Sequence, residues 1–238
     1  MELKVYKDGN EVASAFADYL VESIKKKNDK FFIALSGGST PKLLFALLAE
    51  EAYKNKIDWS KVHLFWGDER CVPPDHADSN YKMTYEQLIS KINIPAGNIH
   101  RVLGENDPQE EAKRYSKEID TLLPKENHLP VFDLVMLGMG DDGHTLSVFP
   151  HEIGLLKSDK ICEVATHPTS GQKRVTLTGK IANNATVAAF LVTGSNKAEK
   201  VLEIFKKENN WNSYPAAHIH PSHGKLYWFM DKDAAALL

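Results

Sequence analysis

The chain has 238 residues, of which 42% are hydrophobic and 26% charged, and carries a formal net charge of −3. That length suits one α/β domain, residues 1–238, with a substantial core. The acidic balance disfavours a nucleic-acid partner, which requires a concentrated basic surface against phosphate. The first ten residues lack the apolar centre of a signal peptide, and no apolar run is long enough to cross a bilayer, so a cytoplasmic protein with no membrane partner is expected. Cys71 and Cys162 form neither a disulfide framework nor a CxxC pair and are expected as reduced thiols.

Residues 3–6 read as a short first strand. A helix follows with Asn10 as its cap and Val12, Ala15, Phe16, Tyr19, Leu20 and Ile24 on one stripe. Lys25, Lys26 and Lys27 complement the dipole of its last turn. Residues 31–35 (FFIAL) are a second strand, broken sharply by Ser36-Gly37-Gly38-Ser39-Thr40-Pro41. Pro41 suits the first turn of a helix that buries Leu43, Leu44, Ala46, Leu47 and Leu48. Strand, glycine–hydroxyl loop and helix N-terminus together make an anion site, because free backbone N–H groups, the positive dipole end and hydroxyl donors converge there. It is not a Walker A loop, since GxxxxGK[ST] is missing.

Residues 62–66 (VHLFW) form a third strand that empties into a long, charged, proline-stiffened loop over residues 67–80, a length that in compact domains often signals function. In it Asp68 lies two residues past the strand, and Arg70 offers a planar fork of donors to a phosphate or carboxylate. The alternative for Arg70 is an internal ion pair with Asp68 or Glu69. A helix resumes over residues 81–89, residues 99–102 read as a short strand, and residues 109–123 as a surface helix.

Residues 134–137 (LVML) run without a polar break, as a strand buried on both faces does. Gly138, Gly140 and Gly143 then interrupt the chain around two carboxylates, Asp141 and Asp142, and an imidazole, His144. A buried strand that delivers a proton-handling group on a glycine loop fits open α/β sheets, where ligands gather at the carboxyl ends of strands. The segment matches GxGxxG, but Asp141 and Asp142 would set negative charge against a pyrophosphate, and Pro150 leaves little room for the helix that should hold it. A serine hydrolase fails because GxSxG is absent.

Beyond Pro150, residues 161–165 and 173–178 are strand-like, with Arg174 at the start of the second, and Gly179 opens a short helix. Residues 186–192 form another buried strand, ending in Thr193-Gly194-Ser195-Asn196-Lys197 before a helix over residues 198–205. Lys197 at that strand-to-helix junction is again placed for an anion. His218, His220 and His223 have no recognisable zinc spacing. A last strand covers residues 226–230, and Asp231 and Asp233 are expected to cap a short terminal helix. Strands alternating with helices at this density predict a single doubly wound α/β fold, its sheet mostly parallel and flanked by helices.

Residues 35–41 (LSGGSTP), residues 66–73 (WGDERCVP) with Ser79-Asn80, and residues 138–145 (GMGDDGHT) together resemble the 6-phosphogluconolactonase family. Residues 174–178 (RVTLT) and 193–197 (TGSNK) fit the same family in order, so the likeness spans nearly the whole chain. The wider superfamily includes glucosamine-6-phosphate deaminase, with similar SGGSTP and GxGxDGH motifs. There the DGH precedes an Ile-Ala-Phe-Asn-Glu-Pro run whose Glu assists ring opening, whereas the fifth residue after His144 here is Phe149, which cannot move a proton. The deaminase also carries Asp-Glu-Tyr in place of Asp68-Glu69-Arg70.

The resemblance implies a Rossmann-like fold and hydrolysis of 6-phospho-D-glucono-1,5-lactone to 6-phospho-D-gluconate in the pentose phosphate pathway, with no cofactor and no metal. It implies His144 as the general base on water, since an imidazole is the side chain that changes charge between pH 5 and 8. Asp68 or Asp142 would orient that imidazole, and backbone N–H groups of residues 140–143 would meet the oxyanion. Gly38, Ser39, Thr40, Arg70, Arg174 and Lys197 would hold the phosphate and so position the carbonyl. The alternatives are a deaminase-like activity or a non-catalytic sugar-phosphate-binding protein; on every reading a monomer or small homo-oligomer is expected.

Overall fold

The computed structural model describes residues 1–238. Strand β1 (Glu2–Tyr6) leads into helix α1 (Gly9–Lys26), β2 (Phe31–Leu35) into α2 (Ser39–Leu48) and the one-turn α3 (Glu51–Lys54). Strand β3 (Val62–Trp66) runs on into β4 (Asp68–Arg70), followed by α4 (Asn80–Gln87) and α5 (Pro108–Leu122). A small hairpin, β5 (Lys125–Glu126) and β6 (Leu129–Pro130), precedes β7 (Leu134–Leu137). The chain closes with β8 (Cys162–Thr166), β9 (Lys173–Leu177), α6 (Gly179–Ala182), β10 (Val187–Val192), α7 (Ala198–Lys206) and β11 (Lys225–Asp231).

Six strands make one sheet in the order β1-β11-β10-β7-β2-β3, every pair parallel. Its strands are apolar at consecutive positions because both faces are covered. Phe31, Ile33, Leu35, Leu134 and Met136 pack under α1 and α2, while Phe32, Ala34, Val135 and Leu137 face α5, α6 and α7. The alternation follows from successive side chains pointing to opposite faces. Helix α1 docks through seven buried residues centred on Phe16, and truncating such an aromatic costs about 3–5 kcal/mol.

From β2 the chain steps outward to β3 and then returns to place β7 on the other side of β2. This reversal is the topological switch point of the sheet, outside whose carboxyl ends ligands bind. The two strands there share only the register pairs Ile33–Leu134 and Ala34–Val135. Beyond them Leu35 pairs with Trp66 and Leu137 with Phe190, so the strands part and a crevice opens.

Several expectations need correction. The cap of α1 is Asp8, whose carboxylate accepts from the N–H groups of Asn10 and Glu11, so Asn10 lies inside the helix. In α2 the buried positions are Thr40, Pro41, Leu44, Phe45 and Leu48, and Leu43 is exposed. Residues 67–80 are not one long loop: β4 pairs antiparallel with β9, which pairs with β8, giving a second, three-stranded sheet beside the first. Residues 99–102 form no strand beyond an Ile99–Leu64 bridge. Helix α5 is more than a surface helix, because its buried Tyr115 hydroxyl bonds both the N–H and the carbonyl of Trp66. Beyond Asp231 the chain makes turns and no helix, as the Asp231 carboxylate caps Gly194 and Ala234 N–H groups.

Under β3 lies a buried polar chain in which His63 Nδ1 meets His100 Nε2 at 3.0 Å and His100 Nδ1 meets Glu118 at 2.8 Å. Burial, reinforced by His100 and Lys30, pushes His63 down to about 4. An imidazole held below its ordinary value near 6.5 takes up a proton more readily when unfolded, so stability is full above that value and declines as pH falls towards 4. The thermal midpoint should therefore drop between pH 6.5 and 4.5. His63→Phe should flatten that slope while lowering the midpoint at pH 7.5, because His100 loses its partner. An equal acid slope in both proteins would refute the assignment.

Candidate active site

The crevice at the switch point holds a cavity of about 190 Å³, and only two of its twelve lining residues, Met139 and Leu146, are hydrophobic. Ser36, Gly37 and Gly38 come from the end of β2, Gly138, Gly140 and His144 from the end of β7. Asp68 and Arg70 arrive on β4, Asn80 at the start of α4, and Arg174 on β9. The second sheet thus walls a cleft that the first sheet opens.

His144 is held by its own loop. Gly143 N–H donates to the Gly140 carbonyl at 3.0 Å and Gly140 N–H to the His144 carbonyl at 2.9 Å. Asp142 Oδ1 accepts from the His144 backbone N–H at 3.0 Å and lies 2.6 Å from Nδ1 of the ring. Burial alone would raise the Asp142 carboxyl, but the bond and charge of His144 overcome it and hold it down at about 2. An ionised carboxylate only accepts, so Nδ1 must carry the proton and Nε2 keeps the lone pair in the neutral ring. Phe149 backs the imidazole, with ring centroids 4.8 Å apart. Gly140 is required by contact: a Cβ there would stand 2.1 Å from His144 Nδ1. Gly143 has φ +81°, and a side chain on it would also meet the Tyr214 ring. Leu146 adopts φ +55° without being a glycine, a conformation that costs energy and that the surrounding turn must enforce.

Of the two carboxylates proposed to orient the imidazole, only Asp142 touches it. Asp68 instead accepts a 2.5 Å hydrogen bond from Ser147 Oγ. Two of the four loop amides expected for an oxyanion, those of Gly140 and Gly143, are already committed within the loop.

Arg70 forms no pair with Asp68 or Glu69; its Nη1 donates to the Asp78 carbonyl at 2.7 Å. It faces Arg174 directly across the β4–β9 ladder. Like charges opposite one another on a sheet repel, and here the Nε–H groups of both are buried with no protein acceptor. Burial lowers the Arg174 guanidinium from its usual value, and it lies 5.5 Å from the Phe149 ring centroid. Both arginines line the one polar cleft, and two guanidiniums there suit an anion.

The remaining anion candidates separate. Gly38 lines the cleft with φ +111° and starts α2, whose first internal bond runs from Lys42 N–H to Gly38, leaving the Ser39 and Thr40 amides without helical partners. Ser39 lines the adjoining hollow with Lys42 and Lys82, not the cleft itself. The Thr40 side chain is buried against Thr193 Oγ1 at 2.8 Å. Lys197 is paired with Asp141, which Asn196 also contacts.

Sequence reasoning passed over three residues here. Glu69 is buried and accepts four hydrogen bonds, from the Arg70, Asn80 and Tyr81 N–H groups and the Ser79 hydroxyl, thereby fixing Arg70 and the start of α4. Burial raises its carboxyl, with those N–H groups opposing. Asn80 donates to the Asp68 carbonyl and lies so close to Gly37 that a Cβ there would overlap it at 2.0 Å. Ser147 joins Asp68 to Arg174. Only Asn80 carried a local signal, through its place in the Ser79-Asn80 motif. Cys71 lies beside the site without lining it, and burial together with the Glu69 charge pushes its thiol up to about 11, which leaves little nucleophilic thiolate.

A family model described as glucosamine-6-phosphate isomerases/6-phosphogluconolactonase matches residues 7–228. The 6-phosphogluconolactonase of Aggregatibacter actinomycetemcomitans is 42% identical over 236 residues, covering 96% of this chain and all of that one. Among solved structures, the devB protein superposes with a TM-score of 0.94 at 45% identity, covering 99% of this chain and 98% of its own. The 6-phosphogluconolactonase of Trypanosoma brucei does so with 0.89 at 28% identity, covering 100% and 98%. Switch-point cleft, histidine loop and whole-length likeness agree: the chain belongs to the glucosamine-6-phosphate isomerase/6-phosphogluconolactonase family.

Proposed function

We propose that the chain hydrolyses 6-phospho-D-glucono-1,5-lactone to 6-phospho-D-gluconate, with His144 as general base. The observation that carries this is that His144, paired with Asp142, lines one cleft together with Arg70 and Arg174. As part of the same reading the enzyme is a single cytoplasmic domain of the pentose phosphate pathway that works without a cofactor.

His144 Nε2 takes a proton from water, and the oxygen adds to the lactone carbonyl carbon. Asp142 stabilises the imidazolium that results, because its carboxylate stays ionised throughout the range in which imidazole titrates. The tetrahedral intermediate collapses with cleavage of the bond between that carbon and the ring oxygen. The imidazolium returns its proton to the departing oxygen, leaving an acid and a free hydroxyl. Arg70, Arg174 and the positive end of α2 at Gly38 hold the phosphate, which fixes the carbonyl against the base.

The deaminase reading fares worse on one point. Phe149, at the position of the deaminase carboxylate in the resemblance, is buried and packed between His144 and His167, where it offers no proton.

The test generates lactone in situ with glucose-6-phosphate dehydrogenase and compares ring opening with and without the protein against the spontaneous rate. A clear excess is expected; ammonia release from glucosamine 6-phosphate in its place would transfer the chain to the deaminases. His144→Ala should lose on the order of 10²–10⁴ in kcat, the usual contribution of general-base catalysis, and Asp142→Asn should lose kcat with KM little changed. Arg70→Ala and Arg174→Ala should instead raise KM by about tenfold or more with a smaller change in kcat. An unchanged kcat in His144→Ala would remove the mechanism.

A further inference from the structure

We propose that Ser147 is a positioning residue whose hydroxyl, set between Asp68 and Arg174, prevents these two charges from closing into an ion pair. The inference rests on the reading of the cleft given above and adds a residue that does not itself touch substrate.

Ser147 is fully buried, three residues beyond the base. Its Oγ lies 2.5 Å from Asp68 Oδ2 and 3.4 Å from Arg174 Nη1. A carboxylate only accepts and a guanidinium only donates, so the directions are fixed: the hydroxyl donates to Asp68 and accepts from Arg174. The serine cannot drift, because its N–H donates to Thr176 Oγ1 at 3.1 Å, and Thr176 is the register partner of Asp68 on β9. Its place is set by the left-handed Leu146 and by the Val148 N–H to Thr145 carbonyl bond, which turn the chain soon after His144 so that Ser147 meets Asp68 of β4 and Thr176 of β9.

The geometry has a clear consequence. Asp68 and Arg174 both line the cleft and are nearly buried, and opposite charges in such a setting attract strongly when nothing lies between them. Direct pairing would satisfy Arg174 internally and draw its donors from the cleft. A neutral hydroxyl that bonds both satisfies one carboxylate oxygen and one guanidinium nitrogen, and leaves Arg174, which lines the cleft, unpaired with any carboxylate. Without the hydroxyl, Asp68 Oδ2 loses a buried donor, and the guanidinium is the group at hand to replace it.

The test compares Ser147→Ala, Ser147→Cys and Ser147→Thr with wild type, with thermal unfolding to confirm that each is folded. KM and kcat are measured on the lactone, and the dissociation constants of 6-phosphogluconate and inorganic phosphate by calorimetry. Ala and Cys should raise KM and both dissociation constants together by about tenfold, with kcat within about threefold, as expected for lost uniform binding. Thr, which keeps the hydroxyl, should restore the wild-type values. Cys matches serine closely in size but hydrogen-bonds weakly, so it decides the matter if Ala does not fold. Unchanged KM and dissociation constants in folded Ala or Cys variants would overturn the proposal, as would a fall in kcat alone. If wild type shows no turnover above the blank, the reading of the cleft fails instead, and phosphate binding still decides on Ser147.

Discussion

Strands β2 and β7 stay paired for only two residues each, and the candidate active-site cleft depends on that brevity. Were the ladder longer, the loops after Leu35 and Leu137 would lie side by side and close the space between them. Beyond those pairs each strand stays paired on its other edge only, β2 along its full length with β3 and β7 with β10. The parallel sheet then twists the two loops apart. One loop brings the N-terminus of α2, the other brings His144, and neither side chain chemistry nor dipole would serve without the other opposite it.

Across this crevice the second sheet acts as a wall whose lining is polar, and a polar wall needs internal anchors. Glu69 is that anchor. Its four hydrogen bonds are each worth about 1 kcal/mol net, and more where they meet a charge. They offset the cost of burying a carboxyl, and they orient Arg70 by its backbone and Asn80 by its N–H. The cross-strand arginines are then held facing each other at a cost in repulsion, which an anion in the cleft would reverse. Stability is spent here on preorganisation of the site, a common balance at functional centres.

The sequence made the central strands plain, because β2, β3, β7 and β10 are short apolar runs bounded by glycine or polar residues, and strands buried on both faces have no other appearance. The histidine loop was equally legible, since its glycines, acids and imidazole are contiguous. What escaped was chemistry that arises only from distant pairing. Strand β4 is three charged residues long, with no local pattern to mark it, and its partner β9 lies about a hundred residues away. Ser147 reads as one more small residue until that pairing sets it between Asp68 and Arg174. Lys197 looked free because nothing in its own segment announces Asp141 from the loop after β7. Asp8 and Asn10 are both good caps two residues apart, and only the extended backbone at Asp8 separates them.

Asp142 and Asp68, one behind His144 and one in the cleft wall, show how partners divide identical groups. Asp142 stands against an imidazole and is held at about 2, so it is a fixed negative charge beside His144. Asp68 stands against a hydroxyl, which can satisfy its oxygen but cannot neutralise it. Among the lining side chains that leaves one carboxylate against two guanidiniums, a net positive surface before any proton moves. In the proposed mechanism the lining becomes more positive when His144 takes a proton, as negative charge develops on the lactone oxygen, and Asp142 stands beside the imidazolium as its counter-charge. On that proposal, attraction for a phosphate and stabilisation of the transition state come from the same charge arrangement, and the hydroxyl of Ser147 keeps its two halves from cancelling.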